Sequence, residues 1–189
     1  DGFANSANLY LEHFPYIDRL WFGEYFDADA PPEFWLVEMS GIPFGLMGEM
    51  LQDGGNAWRG MLYGMTARLP WAGDPRSLWK LWDDFGIQEA DMYGYWSPTS
   101  PVKVAVNKNV KVTSYVRKDA ALIAIASWEK DRVEIPLKID WEALDLDPDK
   151  TVLAAPFISK FQGAVQFSPK DLIPVEPGRG WLLILREGQ

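Results

Sequence analysis

At 189 residues the chain has room for one domain or two small ones, and its 48% hydrophobic, 14% aromatic and 24% charged residues set it outside the composition of disordered segments. Its 18 Lys plus Arg against 27 Asp plus Glu, a formal charge of -9, argue against a nucleic-acid partner, because phosphate backbones are held by an excess of cations. With no Cys and the single His13 there is no disulfide framework, no thiolate or multi-His metal site and no Cys nucleophile, and no cofactor or metal is expected.

No apolar run approaches the roughly 18 residues that span a bilayer, and the N-terminus has neither a basic segment nor a signal-type apolar stretch, so no membrane is expected as a partner. Asn8 to Phe14 has helical spacing and must stop near Pro15. Arg19 to Glu24 is a short, mostly apolar run suited to a buried parallel strand. Pro31-Pro32-Glu33 opens a helix, since Pro is tolerated in a first turn and an acid there favours the helix dipole. A second helix is predicted over Trp58 to Met65, and a third over Pro75 to Phe85 with Asp74 as its N-cap and Gly86 as its stop. Met92 to Trp96 follows as an extended segment. This alternation implies α/β architecture with parallel strands. At roughly 30 residues per βαβ unit, residues 1–96 hold about three units, against around 250 residues for an eight-stranded barrel. The predicted class of residues 1–96 is an α/β segment, a partial (β/α)8-type barrel.

The run Ser97-Pro98-Thr99-Ser100-Pro101 is a cluster of turn formers of the kind found at domain boundaries. Composition changes across it: residues 1–96 hold 15 acidic and 5 basic residues, residues 97–189 hold 12 and 13. Val102 to Val106, Val110 to Val116 and Val133 to Ile139 alternate apolar and polar side chains, as half-buried antiparallel strands do. Ala121 to Trp128 is apolar almost throughout and fits a central strand buried on both faces. With Thr151–Ala154, Ala164–Phe167 and Trp181–Arg186, about seven short strands predict an antiparallel β-sandwich over residues 97–189. Asp145 to Lys150 lacks the Gly and the closing Glu of a calcium loop and reads as a solvated acidic turn. The sandwich is expected to carry no sugar site of its own and to brace the first half, with Trp128 or Trp181 in its core or at its boundary.

Carboxylates cluster in Trp21-Phe22-Gly23-Glu24-Tyr25-Phe26-Asp27-Ala28-Asp29. An apolar strand ending in Glu, with aromatics and two Asp after it, sets acids at the strand's C-terminal mouth, where α/β folds build their sites. Glycosidic cleavage needs two carboxyl groups, one to protonate the leaving oxygen and one to attack, activate water or orient the substrate. Aromatic faces suit sugar rings. Glu24 and Asp27 are the candidate catalytic acids, with Trp21 and Tyr25 as sugar contacts; the plainer alternative has Glu24 accepting backbone hydrogen bonds while the aromatics pack the core. A second cluster, Gly48 to Gly60, offers Asp53, Asn56, Trp58 and Arg59 to grip hydroxyls, or simply forms a capped loop before a helix. It lacks the Lys-Ser/Thr ending of a phosphate loop. Met39, Met47, Met50, Met61 and Met65 read as ordinary core, and His13 as a structural imidazole.

Several blocks together resemble a known family. Asp1-Gly2-Phe3-Ala4-Asn5-Ser6 through Leu20-Trp21-Phe22-Gly23-Glu24, then Glu38 to Gly45, Met50 to Asn56, Trp128, Phe161-Gln162 and Pro177-Gly178-Arg179-Gly180-Trp181, resemble the C-terminal part of glycoside hydrolase family 123-like proteins. The resemblance covers nearly the whole chain. It implies the end of a catalytic (β/α)8-type barrel followed by a β-sandwich, and activity on β-linked N-acetylhexosaminides or related glycans. Members of that family are thought to use an adjacent Asp-Glu pair, the Asp orienting the substrate's acetamido group and the Glu acting as general acid. No Asp-Glu dipeptide occurs in this chain, so no catalytic residue transfers by motif.

The expectation is thus a fragment of a carbohydrate-active hydrolase, starting in mid-pattern without Met and inactive on its own. Its partners would be a glycan substrate and either the missing N-terminal part of the same protein or a second copy. The alternative is a non-catalytic glycan-binding or structural module. Compartment is not legible, a secreted or periplasmic setting being compatible with the full-length protein.

Overall fold

The computed structural model describes residues 7–20, 27–48, 50–51, 55–67 and 74–188. The chain divides into two compact units, Asp1–Pro75 and Arg76–Gln189.

The first unit is built on short parallel strands. Ala7–Tyr16 winds as a 3-10 helix that carries Pro15 in its last turn, where the missing N–H removes an α-type bond. Strand β1 (Arg19–Leu20) pairs in parallel with β2 (Met47–Gly48), and β3 (Met50–Leu51) pairs in parallel with β4 (Thr66–Ala67). Between β1 and β2 lies α1 (Pro32–Phe34), which widens into a π-helical turn over Trp35–Met39. Between β3 and β4 lies α2 (Ala57–Met61), shorter than predicted because Gly64 takes a left-handed φ of 72° beyond it. Strand, helix, strand with parallel pairing of the two strands flanking each helix is the repeating unit of a β/α barrel. Trp35 and Tyr63 stack at 5.8 Å between ring centroids, and the Tyr63 hydroxyl donates to the Pro32 carbonyl at 2.8 Å, tying the two helical segments together. Met39, Met61 and Met65 are buried beside them as expected, whereas Met47 is exposed. Gly48 permits this packing, since a Cβ there would stand 2.8 Å from the Met39 carbonyl oxygen.

The second unit opens with α3 (Arg76–Phe85), amphipathic with Leu78, Leu81 and Phe85 buried, and Gly86 ends it at φ 74° as its C-cap. Two antiparallel sheets follow. Strands β5 (Asp91–Tyr93), β7 (Val110–Val116), β8 (Ala120–Ser127), β10 (Thr151–Ala155), β11 (Val165–Phe167) and β13 (Gly180–Glu187) form one in the order β11-β10-β13-β8-β7-β5. Strands β6 (Val102–Val104), β9 (Val133–Ile139) and β12 (Leu172–Val175) form the other in the order β12-β9-β6. Ala121, Ile123, Ile125, Leu183 and Leu185 of the first sheet share a core with Val102, Ile135, Ile173 and Val175 of the second, which makes the unit a sandwich. Strand β8 is buried on both faces, as its unbroken apolar run predicts.

Besides the two-residue β2, β3 and β4, one strand escaped the sequence patterns, and one predicted extended segment joined the other half. Strand β12 reads Leu-Ile-Pro-Val, and Pro174 disguises it; it pairs with β9, itself interrupted by Pro136. Met92 falls in β5, an edge strand of this sandwich paired with β7, so the segment expected to close the first half is hydrogen-bonded into the second. Among the described residues no helix is long and apolar enough to cross a membrane.

Candidate functional site

In the first unit β1 runs parallel to β2 and β3 parallel to β4, so the two strands of each pair present their C-terminal ends together, the end where barrels assemble their sites. The described part of the first exit is a turn. Asp27 Oδ1 accepts the Asp29 N–H at 2.8 Å, and the Asp27 carbonyl accepts the Ala30 N–H at 3.0 Å. Asn56 is the N-cap of α2, its Oδ1 accepting the Arg59 N–H at 3.0 Å. From that first helical turn the Arg59 side chain reaches back across the strand ends. Its Nη1 donates to Asp29 Oδ1 at 2.7 Å and to the Ala28 carbonyl. The Arg59 side chain is 5% exposed and that of Asp29 88%, so a buried guanidinium supports a loop whose acids face water.

Of the predicted site residues, Asp27, Asn56 and Arg59 are joined in one hydrogen-bonded network, and half-buried Trp58 precedes Arg59 in α2. Trp21, Glu24, Tyr25 and Asp53 lie outside the described residues. Asp29 figured in sequence only as one of the two acids after the strand, and its link and that of the Ala28 carbonyl to Arg59 were missed, since Arg59 is 30 or more positions away and no local pattern connects them. His13 is exposed, with Nε2 3.4 Å from Glu12 Oε1. Among the described residues no group of His, Asp and Glu is placed to hold a metal ion. The Asp147 carboxylate in the sandwich is engaged by the Lys150 ammonium at 2.9 Å and by the Asp149 N–H at 3.0 Å. What the barrel end offers chemically is a pair of solvent-facing carboxylates, Asp27 and Asp29, over a fixed positive charge.

A parallel β/α segment with acids at its strand exits, continued by an antiparallel sandwich, is the arrangement of a protein with a partial TIM-barrel domain and a β-sandwich C-terminal domain. Residues 1–70 match the family model described as Glycoside hydrolase 123, TIM-barrel domain, and residues 74–186 match Glycoside hydrolase 123, C-terminal domain. The chain belongs to glycoside hydrolase family 123. No significant match is found among curated proteins or among solved structures.

Proposed function

We propose that the barrel segment contributes carboxylates and sugar contacts to a site that cleaves β-linked N-acetylhexosaminides or related glycans. One observation supports this reading: Arg59, in the first turn of α2, donates to the Ala28 carbonyl and to Asp29 Oδ1, so the turn that contains Asp27 is tied to α2. Arg59 acts here as a positioning residue beneath the loop. Glu24 is the acid/base or substrate-orienting carboxylate, and Asp27, exposed on the braced turn, is the second acid. Trp21, Tyr25 and Trp58 supply faces for sugar rings, and Asp53 and Asn56 supply polar contacts.

The missing Asp-Glu dipeptide favours a second reading, in which these residues bind and brace the glycan while other strands carry the catalytic pair. Glu24→Gln and Asp27→Asn, assayed on an aryl β-N-acetylhexosaminide in the full-length polypeptide, separate the two. Loss of general acid–base catalysis lowers kcat by about 10²- to 10⁴-fold. A raised KM with kcat unchanged in both variants would leave only the binding role.

A further inference from the structure

The sandwich contains an open groove of about 900 Å³, which is the size of a small-molecule site and was not foreseen from the sequence. It runs between β9 of the three-stranded sheet and the β10–β11 edge of the six-stranded one. Its apolar floor includes Ile139, and half-buried Trp141 and Phe167 add two aromatic side chains to its walls. Phe167 is held edge-on against Trp181, with centroids 5.6 Å apart, and Trp181 is itself pinned by an Nε1 hydrogen bond to the Pro174 carbonyl at 2.6 Å. One aromatic wall is therefore preset rather than mobile.

Around these rings stand polar groups with no structural duty. Among the described residues no side chain hydrogen-bonds or ion-pairs with the Gln166 amide, the Asp149 carboxylate or the Lys170 ammonium, although all three line the groove. Their neighbours Asp147, Lys150, Ser168 and Asp171, by contrast, are spent on turns and an ion pair. Aromatic side chains pack on the C–H faces of sugar rings, while an amide, a carboxylate and an ammonium at the rim bond hydroxyls or acetamido groups. One positive and one negative rim charge give no net attraction for a polyanionic glycan.

We infer that this groove of the C-terminal sandwich is an auxiliary binding site for a neutral or N-acetylated oligosaccharide, separate from the barrel site. The choice of occupant rests on the glycosidase reading of the family. It runs counter to the expectation that the sandwich has no sugar site of its own, and titration decides between the two.

The test is titration of the whole chain with neutral and N-acetylated tetrasaccharides, followed by tryptophan fluorescence and two-dimensional NMR. Wild type should bind saturably, with resonances of residues 136–141 and 166–170 shifting. Gln166→Ala/Lys170→Ala, whose exposed side chains can be removed without disturbing the core, should weaken binding by about tenfold or more. Lys118→Ala, an exposed side chain outside the groove, should leave this affinity unchanged. The inference is overturned if wild type shows no saturable binding up to about 10 mM, a Kd range where sugar contacts still register. It is equally overturned if only Asp27→Asn abolishes binding, or if a sulfated glycan binds more tightly than the neutral ones. Hydrolysis of the aryl glycoside by the full-length polypeptide is scored in parallel, so an enzyme without a sandwich site and a chain without glycosidase activity give different outcomes.

Discussion

Arg59 concentrates in one side chain what the barrel end requires. Its guanidinium is buried, yet its partners among the described loop residues include a water-facing carboxylate and a backbone carbonyl. The Asp29 ion pair lies at the surface, where such pairs contribute about 0 to 1 kcal/mol, whereas a charge-assisted bond to a carbonyl contributes about 1.5 to 3 kcal/mol. Asp29→Asn should therefore scarcely move the urea unfolding transition of the first unit. Arg59→Met, which keeps the volume and removes the donors, should lower its stability by about 2 kcal/mol. Equal effects of the two variants would mean that the ion pair, and not the carbonyl, holds the loop. Gln162 shows the same economy in the sandwich. Its side-chain amide accepts from the Leu182 N–H at 2.9 Å and donates to the Leu182 carbonyl at 2.8 Å, doing for β13 what a neighbouring strand would do.

Strand pairing in the sandwich sets tolerances that single residues must meet. Gly180 begins β13 directly opposite Ala126 of β8, and a Cβ there would overlap the Ile125 carbonyl oxygen, with the carbonyl carbon 2.6 Å away. Backbone cannot rotate aside as a side chain can. Gly180→Ala should thus cost about 3 kcal/mol or more, read by chemical denaturation, and a neutral result would contradict this close approach. Helix α3 is fastened to the β7–β8 hairpin in a comparable way, because Arg117 Nη1 donates to the Phe85 carbonyl at the helix C-terminus. The turn before β10 is governed instead by charge. The Lys150 side-chain hydrogen bond, followed by the Asp149 N–H, holds the Asp147 carboxyl below its ordinary value. A lowered folded pKa means that the contribution to stability is present above the unfolded carboxylate pKa and is lost as pH falls through the folded value. Since the pair lies at the surface, with Lys150 exposed and Asp147 half-buried, Lys150→Ala should move the Asp147 carboxyl resonance midpoint back up towards the ordinary value and scarcely move Tm.

The first unit presents few strands and much apolar surface. Tyr16 is 85% and Met47 57% exposed, with Leu11, Ile17, Phe34 and Phe44 also open to solvent. Exposed apolar side chains on the helical turns and strand β2 of a unit with so few strands favour association. In sedimentation velocity the 189-residue chain should self-associate as its concentration rises, or form a stable complex with a polypeptide supplying further barrel strands. A single monomeric boundary at high concentration, with no uptake of such a polypeptide, counts against this partner.

Local chemistry was enough to read much of this molecule from its sequence. Period-two alternation marks β7 and β9 as strands, although Val112 to Tyr115 of β7 are buried in succession rather than on one face, the continuous apolar run marks β8, and Gly86 ends α3, because each of these signals acts within a few residues. The word-like blocks reached the family as well. Other features depended on partners distant in the chain. Strand β12 exists because Ile173 is buried opposite Ile135, despite Pro174, and the Arg59 bridge spans 30 residues to Asp29. The groove needs residues 136–141 and 166–170 side by side. Periodicity and capping are properties of neighbours in sequence, and they report which face a segment buries. Which segments then meet is decided by long-range packing, and a bridge, a cross-sheet pair or a groove comes into being only there.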